Sequence, residues 1–232
     1  MHYYIIFGLF VFSIILSIVA QVKVNNSYAK YSKVMASSGV TAKELARRVL
    51  DVAGLQEIEV VGVRGTMTDY YNHKKGIIAL SDGVRDSQSI AGLGIMAHEV
   101  GHALQYQAGY FPIKLRNLAV TVSSFYSKLM WPLLLIGLIV DLFLMADVGI
   151  GIMYAVLILY LVTTLVGFIT LPVEFDASKR ALKLLDSTGT LNGEELRGAK
   201  EVLTAAGLTY VASFVLSLVQ LLRIITIISD RR

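Results

Sequence analysis

The segment His98-Glu99-Val100-Gly101-His102 is the part of this chain whose residue types and spacing point most directly to chemistry. Its two histidines are four residues apart, so on a helix they lie one above the other on the same face. Two imidazoles placed in this way can hold a Zn2+ ion, and Glu99 can take a proton from zinc-bound water. Since the chain has only 4 histidines among 232 residues, the spacing is a specific signal. It predicts a catalytic metal centre.

A catalytic zinc site usually has three protein ligands and one open position, so a third ligand must come from elsewhere. The chain has no cysteine, and its other histidines are His2 and His73. Two carboxylates, Glu174 and Asp176, follow Pro172 at the end of a long apolar run. On a helix these two side chains point about 200° apart, so we expect only one of them to bind the metal. Glu174 is favoured because its side chain is longer.

The composition indicates a membrane protein. Hydrophobic residues make up 55% of the chain, and the mean hydropathy is +0.65. Three runs approach or reach the roughly 20 residues that cross a bilayer, and a fourth is long enough but contains Gln220 and Arg223. These runs are 3–22, 129–146, 150–171 and 205–228. We expect the first run to be an uncleaved anchor because no lysine or arginine precedes it.

The positive charges are unevenly distributed along the chain. Of the 21 lysines and arginines, 13 lie in residues 23–128 and five in residues 172–204. Because cytoplasmic loops carry an excess of such residues, both segments are predicted to be cytoplasmic. The net charge of +4 is modest and shows no basic–aromatic pattern. We therefore expect contacts with the lipid bilayer and its anionic headgroups, and no binding of nucleic acid.

Local patterns place the metal motif on a helix. Residues 41–44 form a capping-box pattern that opens one helix, and Gly54 is a suitable stop for it. Ser87 or Ser89 can cap the next helix, which carries the metal motif to about Tyr106. Helices around this motif are therefore predicted from their caps and from the spacing of their apolar residues.

Two short runs between these helices predict strands. Residues 58–63 are rich in β-branched side chains, and residues 77–80 are apolar. The polar residues 69–73 are expected to link the two strands. Since residues 77–80 come just before the metal helix, they could form a sheet edge that pairs with an extended substrate. Pro172 is predicted to end the third apolar run, with a new helix starting at about residue 173.

Three stretches of this sequence resemble the YugP-type family of bacterial membrane zinc metallopeptidases. They are AHEVGHALQ, GYFPIKLRN and LPVEFDASKRAL, and the likeness extends from about residue 68 to about residue 211. The arrangement is also similar to the broader HtpX-like group. The resemblance implies that His98, His102 and Glu174 are the ligands of one Zn2+ ion per chain and that Glu99 is the general base. It also implies a multi-pass protein of the bacterial cell membrane with a cytoplasmic active site.

One position departs from the family pattern. HtpX-like and thermolysin-like patterns place an aspartate four residues after the ligand glutamate, whereas this chain has Ser178 there and Asp176 two residues earlier. Both residues are candidates for supporting the metal ligands. Side chains that could stabilise a developing oxyanion are His73, Tyr70, Tyr71 and Arg180.

The predicted fold is a mainly α membrane protein with three to four transmembrane helices and a small α+β, zincin-like metallopeptidase domain. The expected segments are an anchor (1–22), the zincin-like domain (23–128), a transmembrane hairpin (129–171), a helix supplying the third ligand (172–204) and a C-terminal hydrophobic helix (205–232).

The predicted function is that of a membrane-embedded zinc metalloendopeptidase, a hydrolase acting on polypeptides at or near the membrane. One alternative is intramembrane, site-2-like proteolysis, although no L-D-G motif is present to supply an aspartate ligand. A second alternative is a non-catalytic membrane scaffold with a structural zinc. Glu99 argues against it, because a structural zinc site needs no general base.

Overall fold

The computed structural model describes residues 2–120, 128, 132, 135 and 146–230. Its elements, in chain order, are α1 (His2–Tyr31), α2 (Ala42–Val52), β1 (Glu59–Val63), β2 (Tyr70–Asn72), β3 (Ile77–Ser81), α3 (Ile90–Gln107), α4 (Ala146–Ser187) and α5 (Gly193–Asp230). Residues 111–120 are also helical. The protein is thus mainly α with a small mixed sheet, which confirms the predicted fold class.

Three of these helices are long and apolar enough to cross a membrane. The candidate spans are Tyr4–Tyr31 in α1, Met153–Ser187 in α4 and Gly193–Ser229 in α5. They correspond to three of the four predicted runs. All but three residues of the remaining run, 129–146, lie outside the described part of the chain. The structure therefore supports the prediction of a membrane protein with several apolar helices.

Two long helices continue past the positions at which the sequence predicted them to end. Residues 23–31 continue α1 beyond the predicted anchor segment 1–22, helped by an i,i+4 bond from the Gln21 amide to Asn25 at 3.1 Å. Pro172 lies inside α4 instead of ending it. A proline within a helix removes one backbone hydrogen bond. Here the helix continues because residues beyond Pro172, among them Val173 and Ala177, are fully buried.

The three strands form one sheet in the order β1-β3-β2. β1 is parallel to β3, and β2 is antiparallel to it. Residues 70–72 of the predicted polar link therefore belong to a strand. The suggestion that residues 77–80 form a free sheet edge was wrong, because β3 is the central strand and its backbone groups pair on both sides. The prediction failed because sequence order does not reveal strand order.

By its internal contacts, the chain divides into two compact units. One consists of Met1–Val19, Lys114–Leu171 and Thr209–Arg232. Within it, an added Cβ at Gly167 of α4 would lie 3.3 Å from the Phe214 ring of α5, so glycine there permits close helix packing.

The second unit consists of Ala20–Ile113 and Pro172–Leu208 and contains the sheet, α2 and α3. Thr41 and Glu44 form the predicted capping box of α2, and Gly54 follows α2 with φ +75°. Leu93, Ala97 and Val100 of α3 are fully buried in the core of this unit. The metal motif therefore lies on a helix that is packed into a core.

Gly101 allows α3 and α4 to approach each other closely. A Cβ added at this position would lie 2.7 Å from the backbone oxygen of Ala177, closer than real Cβ atoms come to such an atom. Because that oxygen belongs to a helix backbone, it cannot move aside cheaply. The glycine within the histidine motif therefore brings the histidine-bearing helix against the segment of α4 that carries Glu174.

Candidate metal centre

The N-cap of helix α3 fixes where the helix begins and so where the two motif histidines lie along it. Its N-cap is Ser89, whose hydroxyl accepts a hydrogen bond from the Gly92 N–H at 3.1 Å, as one of the two predicted caps requires. His98 and His102 lie about two and a half and three and a half turns further on, and their ring centroids are 4.7 Å apart. The local sequence therefore positions both imidazoles on the same side of the helix.

His98, His102 and Glu174 come together at one point. The Oε2 atom of Glu174 lies 3.1 Å from Nε2 of His98 and 3.7 Å from Nε2 of His102. One potential ligand atom from each residue lies within 4.8 Å of the others. The Glu174 side chain is only 2% exposed. The structure thus brings together the three residues that the sequence predicted as metal ligands.

The donors fit a zinc ion in number, type and spacing. Ligand atoms about 2.0–2.1 Å from a tetrahedral zinc lie about 3.3 Å from one another, close to the 3.1 and 3.7 Å separations measured here. Two imidazoles and one carboxylate form a ligand set that occurs in catalytic zinc sites. A buried carboxylate is also costly without a compensating positive charge, which a divalent cation supplies.

A neighbouring amide determines which ring nitrogen of His102 carries its proton. The Gln105 Nε2 atom donates to the Val173 carbonyl and to Asp176 Oδ2, both at 2.8 Å. The amide oxygen of Gln105 must therefore face His102 Nδ1, 3.0 Å away. An oxygen there accepts a hydrogen bond, so Nδ1 carries the hydrogen. The lone pair of His102 is then on Nε2, where it could bind a metal.

Gln105 is the residue of this centre that the sequence reasoning missed. It is fully buried and lies three residues after His102 on α3. Its position three residues after His102 could have indicated this role, because residues i and i+3 share a helix face. Asp176 contacts Gln105 and accepts a hydrogen bond from Arg180 Nε at 2.6 Å. Asp176 and Arg180 therefore support His102 through the Gln105 amide and are not among the clustered ligands.

His98 is supported by a different kind of group. The Ser178 hydroxyl lies 3.2 Å from Nδ1 of His98, one helical turn beyond Glu174. The residue that replaces the aspartate of the family pattern therefore occupies the corresponding supporting place. A hydroxyl can accept a hydrogen bond from Nδ1–H and leave Nε2 of the ring for a metal.

Glu99 lies beside the first histidine and is 9% exposed. Its carboxylate forms no hydrogen bond with any residue in the described part of the chain. A group of this kind, next to the ligands and not engaged in a structural contact, suits the role of general base that the motif predicts.

The predicted oxyanion candidates are not among the three clustered ligands. The His73 ring stacks on Tyr106 at 3.9 Å, and Tyr71 packs edge-on against Tyr106 at 5.7 Å. Tyr106 is one turn beyond His102 on α3. Burial, with the nearby Tyr106 and Glu57, raises the pKa of Tyr71 to about 12, so its hydroxyl stays protonated near neutral pH.

Tyr70 is 41% exposed, and Arg180 is engaged with Asp176. The structure therefore places the four candidates in different surroundings. An oxyanion role for any of them stays a prediction.

Comparison with known proteins assigns the chain to a family. Residues 4–229 match the family described as "Putative neutral zinc metallopeptidase", and the chain belongs to this family of zinc metallopeptidases. It is 43% identical over 219 residues to the Bacillus subtilis (strain 168) protein named "Putative membrane protease YugP", across 94% of this chain and 93% of that protein. No solved structure matches the chain. The predicted resemblance is confirmed.

Proposed function

We propose that the protein is a membrane-embedded zinc endopeptidase that hydrolyses peptide bonds of polypeptides at or near the membrane. The observation that carries this proposal is the convergence of His98, His102 and Glu174, with Glu99 on the same helix. The family and the relative's name support a peptidase at a membrane. We further propose one zinc ion per chain, bound by these three residues.

A zinc ion held by these three residues would polarise the scissile carbonyl as a Lewis acid and would lower the pKa of a water molecule toward neutrality. The residues of the chain then move the proton of this water. Glu99 accepts it as the water attacks the carbonyl carbon, and returns it to the nitrogen of the leaving amine as the C–N bond breaks. Gln105 and Ser178 keep the two imidazoles in the orientation in which their Nε2 atoms can bind zinc.

The outer edge of β2 is the place where we expect an extended substrate to pair with the sheet. β3 is already paired on both sides, while Tyr71 links β2 to Tyr106 of the metal helix. An extended polypeptide can add to such an edge through backbone hydrogen bonds, largely without regard to sequence.

We also propose that the active site faces the cytoplasm of a bacterial cell, on the basis of the lysines and arginines in residues 23–128 and 172–204. Single cysteines introduced at the exposed residues Ser38 and Asn192 test this. They should react with an impermeant thiol reagent only after the cells are opened. Labelling of intact cells would invert the proposed orientation.

Intramembrane proteolysis with α3 inside the bilayer is less well supported, since α3 is not one of the three candidate spans. A zinc scaffold without activity gives no reason for a buried glutamate next to the ligands.

The proposed reaction is tested by comparing the wild type with Glu99→Gln in detergent. Glu99→Gln should keep its zinc, measured by mass spectrometry of the metal, and should lose casein cleavage by about 100-fold or more, as expected when a general base is removed. Glu57→Gln, a change at an exposed position, is the matched control and should keep both properties. Full cleavage by Glu99→Gln would overturn the assigned base.

A further inference from the structure

A groove of about 600 Å3 lies on the other side of α3 from the metal ligands, a volume within the roughly 300–1,000 Å3 typical of ligand sites. Leu104 lines it and lies about 200° around the helix from His102. Its apolar lining consists of Val40, Leu45, Val49, Val52, Ala53, Leu104 and Leu184. The groove is therefore separate from the face on which His98 and His102 meet Glu174.

Three cationic side chains line this groove: Arg48, Arg180 and Lys183. None of its described lining residues is an aspartate or a glutamate. Arg48 and Lys183 form no hydrogen bond or ion pair with any other residue in the described ranges, although Arg48 interacts electrostatically with Glu44, one turn before it on α2. An apolar groove lined by cations and by no carboxylate is complementary to a ligand that has an apolar body and a negatively charged end.

The shape and the polar groups of the groove favour a polypeptide end over an acyl chain. Val52 is 91% exposed, so the groove is open to solvent, where an acyl chain would stay largely wet. The exposed Ser38 and Ser187 also line it. Hydroxyl groups can bind the amides of a peptide backbone, whereas an acyl chain has no use for them.

We propose that this basic groove binds the free C-terminal carboxylate of a polypeptide whose last residues are apolar. This inference rests on the proposed function, because each peptide bond that an endopeptidase hydrolyses creates a new C-terminal carboxylate. The carboxylate pairs with Arg48, Arg180 and Lys183, and the apolar side chains cover the leucines and valines of the groove.

Arg180 connects this groove to the metal centre. It donates a hydrogen bond to Asp176, which accepts one from Gln105, whose oxygen faces His102. Asp176 engages only Nε of Arg180, so a carboxylate can bind the other N–H groups of the guanidinium and, by sharing its positive charge, weaken the Arg180–Asp176 ion pair. Occupancy of the basic groove therefore loosens the support of His102, so that a released product end weakens zinc binding.

The test uses the full chain with Glu99→Gln, which prevents turnover, in nanodiscs of phosphatidylcholine. The probe is acetyl-Ala-Ala-Leu-Leu with a free carboxylate, and its C-terminal amide is the uncharged control. Isothermal titration calorimetry should show that the acid binds at least about tenfold more tightly than the amide, because charge-assisted bonds to the cations are lost in the amide. Addition of Arg48→Gln and Lys183→Gln should abolish this preference.

A matched pair of changes, Lys33→Gln and Lys43→Gln, removes two exposed lysines that do not line the groove and should leave the preference intact. Equal binding of acid and amide would overturn the proposal, as would an acid preference that survives Arg48→Gln and Lys183→Gln. Binding of decanoate but not of the peptide, with the same dependence on Arg48 and Lys183, would overturn it in favour of a lipid ligand.

The proposed link between the groove and the metal centre is tested by a separate measurement. Saturating peptide acid should raise the zinc dissociation constant, measured by chelator competition, severalfold in the lysine control and not in the Arg48→Gln, Lys183→Gln chain. An unchanged constant in the lysine control would remove the link. None of these measurements depends on cleavage, so a failure of the groove is distinguishable from a failure of the proposed peptidase activity, which the casein assay reports.

Discussion

The two histidines of the metal centre are supported in different ways. The His102 side chain is 7% exposed, and its partner Gln105 is fully buried and fixed by two acceptors. The His98 side chain is 15% exposed, and its Nδ1 atom contacts the hydroxyl of Ser178. One imidazole is therefore supported by a connected polar network and the other by a single hydroxyl.

This difference determines which nitrogen of each imidazole ring carries the hydrogen. The Gln105 amide has one possible orientation, so the fold itself leaves Nε2 of His102 as the acceptor. The Ser178 hydroxyl can donate or accept, so either nitrogen of His98 can carry the hydrogen until a metal binds. The fold thus sets the tautomer of His102 in advance, whereas a bound metal would select the tautomer of His98.

The largest effect is expected at Glu174, whose carboxylate lies close to both histidines. Glu174→Gln replaces this carboxylate by a neutral, weaker donor, so zinc affinity should fall by about 100-fold or more. Chelator competition measures this. Asp176→Asn, two residues away, is the matched control and should have a much smaller effect, since Asp176 acts only through Gln105. Stoichiometric, tightly bound zinc in Glu174→Gln would remove Glu174 from the ligand set.

The network on the His102 side is tested by Gln105→Leu. The change leaves the buried Nδ1–H of His102 without an acceptor, which costs about 1–3 kcal/mol, and loss of such support lowers metal affinity by about 10–100-fold. The melting temperature of the metal-free chain serves as a control for folding. If metal-free Gln105→Leu is folded and binds zinc as tightly as the wild type, the support assigned to Gln105 is wrong.

The hydroxyl on the His98 side should matter less. Ser178→Ala should lower zinc affinity by about tenfold, at the low end of the range for such partners, and less than Gln105→Leu does. Ser178→Asp should raise the affinity above that of the wild type, because a carboxylate makes the ring a stronger ligand. The same chelator competition ranks the variants. A larger loss in Ser178→Ala than in Gln105→Leu would reverse the comparison between the two sides.

The proposed metal ligands of this protein could be predicted from the sequence because helix geometry is local. The four-residue spacing of His98 and His102 places them on one face. Because the chain has no cysteine, few residues were candidates for the third ligand. Glu174 followed from its position after an apolar run. Ser178 followed as a candidate supporting residue from its position four residues after Glu174. The role of Gln105 did not follow, because it depends on how closely α3 and α4 pack.

The errors in the fold have the same origin. The central place of β3 depends on pairing with β1, which the order of strands along the chain does not encode. The continuation of α4 through Pro172 depends on the burial of Val173 and Ala177, which outweighs the lost hydrogen bond. In each case the observed structure depends on contacts between residues distant in sequence, which local sequence patterns do not reveal.

The most direct test of the metal centre is zinc X-ray absorption spectroscopy of the purified wild type and of Glu174→Gln. The wild type should show one zinc with two imidazole nitrogens and oxygen donors at about 2.0–2.2 Å. In Glu174→Gln any remaining zinc should have lost an oxygen donor. A wild-type spectrum with fewer than two imidazoles, or one that Glu174→Gln leaves unchanged, would contradict the proposed centre.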